Sequence, residues 1–289
     1  MTARQRLWLS RLFILLFLVI TPLILTYAAG YHINWRYLKL ERTGLLEIKT
    51  EPSGALINIE EIKAWLGKPK ELITPIKLKN LRPGSYHINL SLTGYHNWQK
   101  TLVIRPAETT FAKNIRLFKQ SNPQQLADLP LGSNLTTVDW PTDQSDLNLA
   151  NKNLTTSTIT ALLDEKSLAD NWLDSRFIRL ACQLPDKKIA YTKQFELWLA
   201  DLDKKTTTLL GRFSQSIDQL ICLPDTSNYL IFGHNQGWQL IELDDRQNRS
   251  IWKLADVDQL GLSAINKKAN TLYFYGQIAS TTGLFSLDL

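Results

Sequence analysis

Residues 51–60 read Glu-Pro-Ser-Gly-Ala-Leu-Ile-Asn-Ile-Glu (EPSGALINIE). The residues before, LLEIKT (45–50), alternate apolar and polar, and ALINIE (55–60) alternates again. A period of two sends successive side chains to opposite faces of a strand. Between the two runs, Pro52 fixes its own φ and Gly54 can take a positive φ without steric cost. The pattern predicts a β-hairpin turning at Pro52-Ser53-Gly54-Ala55.

Similar runs follow: PIKLKNL (75–81), SYHINLSL (85–92), WQKTLVI (98–104) and TFAKNIRLF (110–118). Arg82-Pro83-Gly84, Thr93-Gly94 and Arg105-Pro106 punctuate them. Short strands with regular turns predict a small β-sandwich over residues 44–119. Pro52-Ser53-Gly54-Ala55 resembles the signature of the PEGA domain, with Ser53 in place of Glu. Thr74-Pro75, LRPGSY (81–86) and Gly94-Tyr95 fall in that family's usual order. The segment EIKAWLGKPKEL (61–72) is longer than the family's short connection. The resemblance implies an extracytoplasmic β-sandwich acting as an accessory module. It implies no catalysis.

Upstream, LFILLFLVITPLILTYAA (12–29) carries no charge. With residues from about 8 onward it is long enough to span a bilayer as a helix. Arg4, Arg6 and Arg11 precede it, and Tyr27, Tyr31, Trp35 and Tyr37 follow, where amphipathic rings favour the interface. Residues 1–43 are therefore expected to form a short cytoplasmic stub, a transmembrane helix and a juxtamembrane linker. A cleaved signal peptide is the alternative, with Thr26-Tyr27-Ala28 as its small-x-small site. Arg36, Lys39 and Arg42 make the far flank basic as well, which weakens the charge argument for orientation. Either membrane reading puts the remaining chain outside the cytoplasm.

Residues 124–289 carry a looser repeat. CQLPDKKIAYTKQFELWLADLDKKT (182–206) parallels CLPDTSNYLIFGHNQGWQLIELDDRQ (222–247), and INKKANTLYFYGQIASTTGLFSLDL (265–289) is a third copy. WPTDQSDLNLANKNLTTSTITALLDEK (140–166) is a weak first one. A period near 40 with four strands per unit predicts a β-propeller of about four blades. TTLLGRF (207–213) and RSIWKLA (249–255) supply fourth strands. The last copy has none, so QQLADLPL (124–131) is expected to return and complete it, since an open edge invites aggregation; an open arc, or a ring completed by a second chain, is the alternative. The units resemble WD40-type or TolB-type propeller repeats in architecture, without periodic Trp-Asp or Gly-His dipeptides. The fold class expected is thus mostly β: a transmembrane helix, a PEGA-like sandwich and propeller-like repeats.

The net charge of +6 hides a basic front and an acidic back: residues 1–119 carry +11 and residues 120–289 carry −5. The arginines at the start belong to the membrane signal, and no basic helix or aromatic RNA-binding motif occurs, so nucleic acid is not an expected partner. The four histidines are His32, His87, His96 and His234. Only His234, expected in the loop GHNQGW (233–238), could serve chemistry in the repeats. No nucleophile elbow, Walker loop, zinc-binding helix motif or dinucleotide fingerprint is present. Asp186, Asp225, Asp201, Asp203, Asp244 and Asp245 end turns, as Asp does when its side chain bonds the backbone. They lack the spacing of a calcium loop. No metal and no cofactor is expected.

Cys182 and Cys222 stand at different offsets from their Leu-Pro-Asp turns, which puts them on opposite faces. They are expected as buried thiols, because neighbouring blades seldom bring Cα atoms within about 7 Å. Tyr95 and Trp98 are the candidate binding aromatics of the sandwich, although such rings more often fill a small core. The expected role is non-catalytic: a single-pass, membrane-anchored binding or scaffold protein of the cell envelope, its domains extracytoplasmic. Its expected partners are the lipid bilayer and a cell-wall polymer or an envelope protein. An extracytoplasmic hydrolase or substrate-gating propeller is the first alternative. An envelope sensor needing a membrane partner is the second.

Overall fold

A computed structural model of the chain describes residues 3–28, 30–34, 39–60, 71–128, 147–149, 178–266 and 270–289. The chain divides into two compact units, one of residues 1–93 and 97–117, the other of residues 94–96 and 118–289.

The first unit opens with α1, Ala3–Ala28. Its apolar part, Trp8–Ala28, has 21 residues and none of its most apolar window is buried. At 1.5 Å per residue it reaches about 31 Å, close to the hydrocarbon thickness of a bilayer. It is compatible with a single-pass anchor or a signal sequence. Pro22 lies inside the helix, and the Thr26 hydroxyl, one turn on, donates to the Pro22 carbonyl at 2.9 Å. The Gly30 N–H closes the end of the helix on the Tyr27 carbonyl. A two-stranded ribbon follows, β1 (Tyr31–Asn34) with β2 (Lys39–Arg42). The Gly30 carbonyl accepts from both the N–H and the hydroxyl of Thr43, tying the start of the sandwich to the helix exit.

The sandwich strands are β3 (Gly44–Glu51), β4 (Leu56–Ile59), β5 (Leu72–Ile73), β6 (Ile76–Leu81), β7 (Gly84–Ser91), β8 (Trp98–Ile104) and β9 (Thr109–Arg116). They form one sheet in the order β6-β3-β9 and a second in the order β5-β4-β7-β8. The central β3 runs antiparallel to β6 and parallel to β9. Inward residues alternate as expected: Leu46 and Ile48 on β3, Ile57 and Ile59 on β4, Ile88 and Leu90 on β7, Trp98 and Leu102 on β8.

The expected hairpin at Pro52-Ser53-Gly54-Ala55 is not one. β3 and β4 belong to different sheets, so the motif is a corner that carries the chain across the sandwich. Its backbone is held by Thr74. The Gly54 N–H donates to the Thr74 carbonyl, the Thr74 N–H donates to the Ala55 carbonyl, and the Ala55 N–H donates to the Thr74 hydroxyl, each at 3.0 Å. The Thr50 hydroxyl lies 2.6 Å from that of Thr74. Both X-Pro bonds beside this knot, Glu51-Pro52 and Thr74-Pro75, are cis. All but two residues of the segment 61–72 lie outside the described residues.

Among the described residues, the second unit contains three sheets. One is β12 (Ala181–Leu184), β13 (Lys188–Lys193), β14 (Glu196–Asp201) and β15 (Thr206–Arg212) in order; the next is β16 (Gln219–Cys222), β17 (Tyr229–His234), β18 (Gly237–Glu242) and β19 (Ile251–Ala255). Each is an antiparallel meander, matching two of the expected repeats. The last sheet joins β10 (Gln124–Asp128), β22 (Thr281–Asp288), β21 (Thr271–Ile278), β20 (Gln259–Asn266) and β11 (Leu147–Leu149) in that spatial order. The pairing of residues 124–128 with the C-terminal strand is the one expected. Of the weak first copy, only Leu147–Leu149 is described, and it pairs with β20 as a fifth strand of that sheet. The described strands form three sheets of the repeat region, and the fourth expected blade lies largely outside the described residues.

The middle sheet is buried on both faces. Leu220, Cys222, Leu230 and Phe232 pack with Leu184, Ala190 and Leu197 of the sheet before it. Ile221, Tyr229, Ile231 and Trp238 pack with Ile265, Leu272, Phe274 and Phe285 of the sheet after it. That explains the near-continuous apolar run of YLIFGH, which a strand with one wet face would interrupt. Cys182 and Cys222 are not free thiols but a disulfide, with Cα atoms 5.7 Å apart. Cys182 lies on β12 and Cys222 on β16, the first strands of successive sheets, and both side chains turn into the one apolar cluster between those sheets. On the other side, the Gln219 amide donates to the Gly261 carbonyl at 2.9 Å and accepts from the Ser263 hydroxyl at 3.2 Å. β16 is thus tied to β12 by a covalent bond and to β20 by a buried polar bridge.

Candidate binding cleft

At the end of the β12–β15 sheet, the backbone between β13 and β14 turns tightly at Gln194, whose φ is 50°. This puts Phe195 at the tip, where its ring stays 49% exposed. The Phe213 N–H donates to the Phe195 carbonyl at 2.8 Å, and the Arg179 N–H donates to the Thr192 carbonyl at 3.0 Å, so three chain segments meet there. Ile178, Arg179, Lys193, Phe195, Arg212 and Phe213 wall a cleft of about 830 Å³, with Gln194 and Glu196.

Its charges are unequally committed. Glu196 accepts from Arg212 Nε at 2.7 Å and from the Trp198 indole N–H at 2.9 Å. Lys193 Nζ sits 5.6 Å from the Tyr191 ring centroid and 5.9 Å from that of Trp198, two rings stacked 13° from parallel. Cations over aromatic faces are attracted by the ring quadrupole. Burial pushes the Tyr191 hydroxyl up to about 12, the Glu196 charge adding to the rise and a bond with Thr207 opposing it. Arg179 is exposed and its guanidinium has no ion-pair partner among the described residues. Among the described residues, three cations against one carboxylate, beside two phenylalanines, suit an anionic group carried on an apolar body.

The sequence-derived candidates fall elsewhere. Trp98 is 1% exposed, a core residue of the sandwich, and its ring is not on the surface. Tyr95 is half-buried, belongs to the other unit, and bridges to Lys119. The two do not form one exposed aromatic pair. Pro52, Ser53, Gly54 and Ala55 form the corner described above. His234 is the last residue of β17 rather than a loop residue, and is 7% exposed. Its Nδ1 accepts from the Gln236 N–H at 3.1 Å. Burial lowers its pKa, with Asp218 opposing and Lys253 assisting. The nearby Ser216 hydroxyl donates to Asp218 at 3.0 Å, so this hydroxyl is engaged by a carboxylate and not by the imidazole. Asp201 and Asp244 do cap turns, accepting from the N–H groups of Lys204 and Arg246 at 3.0 Å. Among the described residues no His, Cys, Asp or Glu group could hold a metal ion.

The cleft residues were not singled out from the sequence. The available signal was TKQFELW (192–198), an apolar ring at a hairpin tip between charges. Arg179 and Arg212 join it only through strand register.

Comparison with protein families matches residues 43–121 to the PEGA domain. No curated protein matches. Among solved structures, a Saccharomyces cerevisiae complex of Dbp5 with Nup159, Gle1, IP6 and ADP is similar at 14% identity. That similarity covers 60% of this chain and 50% of the other, with a TM-score of 0.25, and carries no argument about fold. The propeller resemblance of the second unit has no family match behind it and rests on strand order alone.

Proposed function

We propose that the chain is a non-catalytic, single-pass membrane protein of the cell envelope that presents a binding domain outside the cytoplasm. α1 anchors it, the PEGA domain stands next to the anchor, and the second unit holds a partner. The observation that carries this reading is the Cys182–Cys222 disulfide downstream of an unburied apolar helix. Disulfides form and persist in oxidising compartments and are rare in the cytosol. We read the three stacked sheets as blades of a propeller-like fan. The strand β10 closing on β22 and the ties of β16 to its neighbours support that architecture. The cleft at Phe195 is the proposed contact, for an envelope protein or wall polymer presenting an anion beside an apolar group.

The test is crosslinking in intact cells followed by affinity recovery of the full chain, with Arg179→Glu and Phe195→Ala as variants. Loss of the same crosslinked partner in both variants supports the cleft. Recovery of that partner from both removes it. Recovery of Cys182 and Cys222 as free thiols, when cells are quenched in acid and the denatured chain is alkylated, would overturn the topology.

A further inference from the structure

The end of the sandwich beside the helix exit is basic, and its position is set by short bonds. Tyr27, in the last turn of α1, meets Asn80 of β6, with Nδ2 and the hydroxyl 3.4 Å apart. Thr43 bonds Gly30, and the Ala107 N–H donates to the Thr43 carbonyl at 2.9 Å, which brings in the turn between β8 and β9. Around these contacts stand Arg42, Lys79, Arg82 and Arg105, all exposed. Arg42 is braced against Tyr31, donating to its hydroxyl at 2.6 Å with its guanidinium carbon 5.1 Å from the ring centroid. Glu108 lies 3.8 Å from Arg105, a loose exposed pair, and Glu41 is the other carboxylate of this rim.

We infer that this collar binds anionic phospholipid headgroups and so fixes the sandwich against the bilayer surface. The inference rests on the anchor reading of α1. If the apolar helix fills the hydrocarbon, Tyr27 and Tyr31 lie at headgroup level, the usual place for such rings. Lys79 immediately precedes Asn80 on β6, and Arg82 and Arg105 sit in the turns after β6 and β8. All three are then held close to that level, where attraction to anionic headgroups is felt over about 8 Å before salt screens it. The lysines farther up the same sheet are committed differently: Lys49, Lys77 and Lys113 lie 3.5, 3.7 and 3.2 Å from Glu47.

The full chain is reconstituted into phosphatidylcholine vesicles containing trace spin-labelled phosphatidylglycerol or spin-labelled phosphatidylcholine. The motionally restricted fraction of each label is read by electron paramagnetic resonance. The expected result is a phosphatidylglycerol preference of at least about twofold that falls toward one in the combined Lys79→Gln, Arg82→Gln, Arg105→Gln variant. The charge-conserving Lys79→Arg, Arg82→Lys, Arg105→Lys variant is expected to keep it. A wild-type ratio near one overturns the collar. So does a ratio unchanged in the neutral variant, which would assign the preference to the helix flanks. A chain that fails to float with the vesicles shows no restricted lipid at all, and that outcome removes the anchor itself.

Discussion

Cys182 and Cys222 are 40 residues apart in the chain and 5.7 Å apart between their Cα atoms. Their bond joins the first strands of two neighbouring sheets, where register puts both sulfurs in the same apolar cluster. Closing a loop of that length removes chain entropy from the unfolded state, by about 2–4 kcal/mol in most measured cases. The Cys182→Ser, Cys222→Ser variant is expected to lose that much stability in the second unit. Denaturant unfolding with and without reductant checks it, and reductant should leave the double variant unaffected.

Thr74 is buried, and its hydroxyl is the acceptor for the Ala55 N–H in the corner between the two sandwich sheets. Thr74→Val keeps the shape and removes the acceptor, which leaves a buried donor unpaired. The expected loss is about 1–3 kcal/mol. Thr74→Ser should recover most of it, and equal losses in the two variants would show that packing of the methyl, not the bond, matters there.

Gly237 opens β18 with a φ of 126°, and a Cβ there would fall 1.9 Å from the Ala255 carbonyl oxygen. Both the dihedral and the close approach of β19 exclude a side chain. Gly237→Ala is expected to cost about 2–4 kcal/mol, seen as a lower denaturant midpoint of the second unit. Gly54, with nothing within 4 Å of its Cβ position, is a milder site for the same change.

Glu47 is 5% exposed on the outer side of β3 beneath three lysines. Burial alone would raise its pKa, but the Lys113 bond and the charges of Lys113, Lys77 and Lys49 prevail and lower it. A depressed folded-state pKa gives stability that is complete above the unfolded value, about 4.3 for Glu, and fades as pH falls through the folded value. The sandwich should therefore lose stability on acidification below about pH 4. Glu47→Gln should flatten that part of the pH profile, as followed by thermal unfolding at several pH values.

The strands were legible in the sequence because alternation is a local property. LLEIKT, WQKTLVI and YLIFGH each announce a strand and its wet or dry faces without reference to the rest of the chain. Partners are not local. Alternation on both sides of Pro52-Ser53-Gly54 looks the same whether the chain folds back on itself or crosses to another sheet. The deciding residue is Thr74, some twenty positions away. The disulfide escaped for the same reason: offsets within each repeat say which face a cysteine takes, but not that β12 and β16 lie side by side. The return of residues 124–128 to β22 was legible because an unfilled place in a repeat points to its own filler. The cleft was illegible as a set, since Arg179, Lys193 and Arg212 come from three segments, and only the bond of Arg179 to Thr192 and the pairing of β13, β14 and β15 assemble them.

The contact between β10 and β22 has a consequence for biogenesis. Residues 124–128 leave the ribosome some 150 residues before the strand that covers them, and among the described residues β22 is the strand they pair with. Loop closure over so long a span is slow. Until translation delivers Thr281–Asp288, the partner strand of Gln124–Asp128 is missing, and an unpaired strand of a nascent domain is a site for misassembly during that interval.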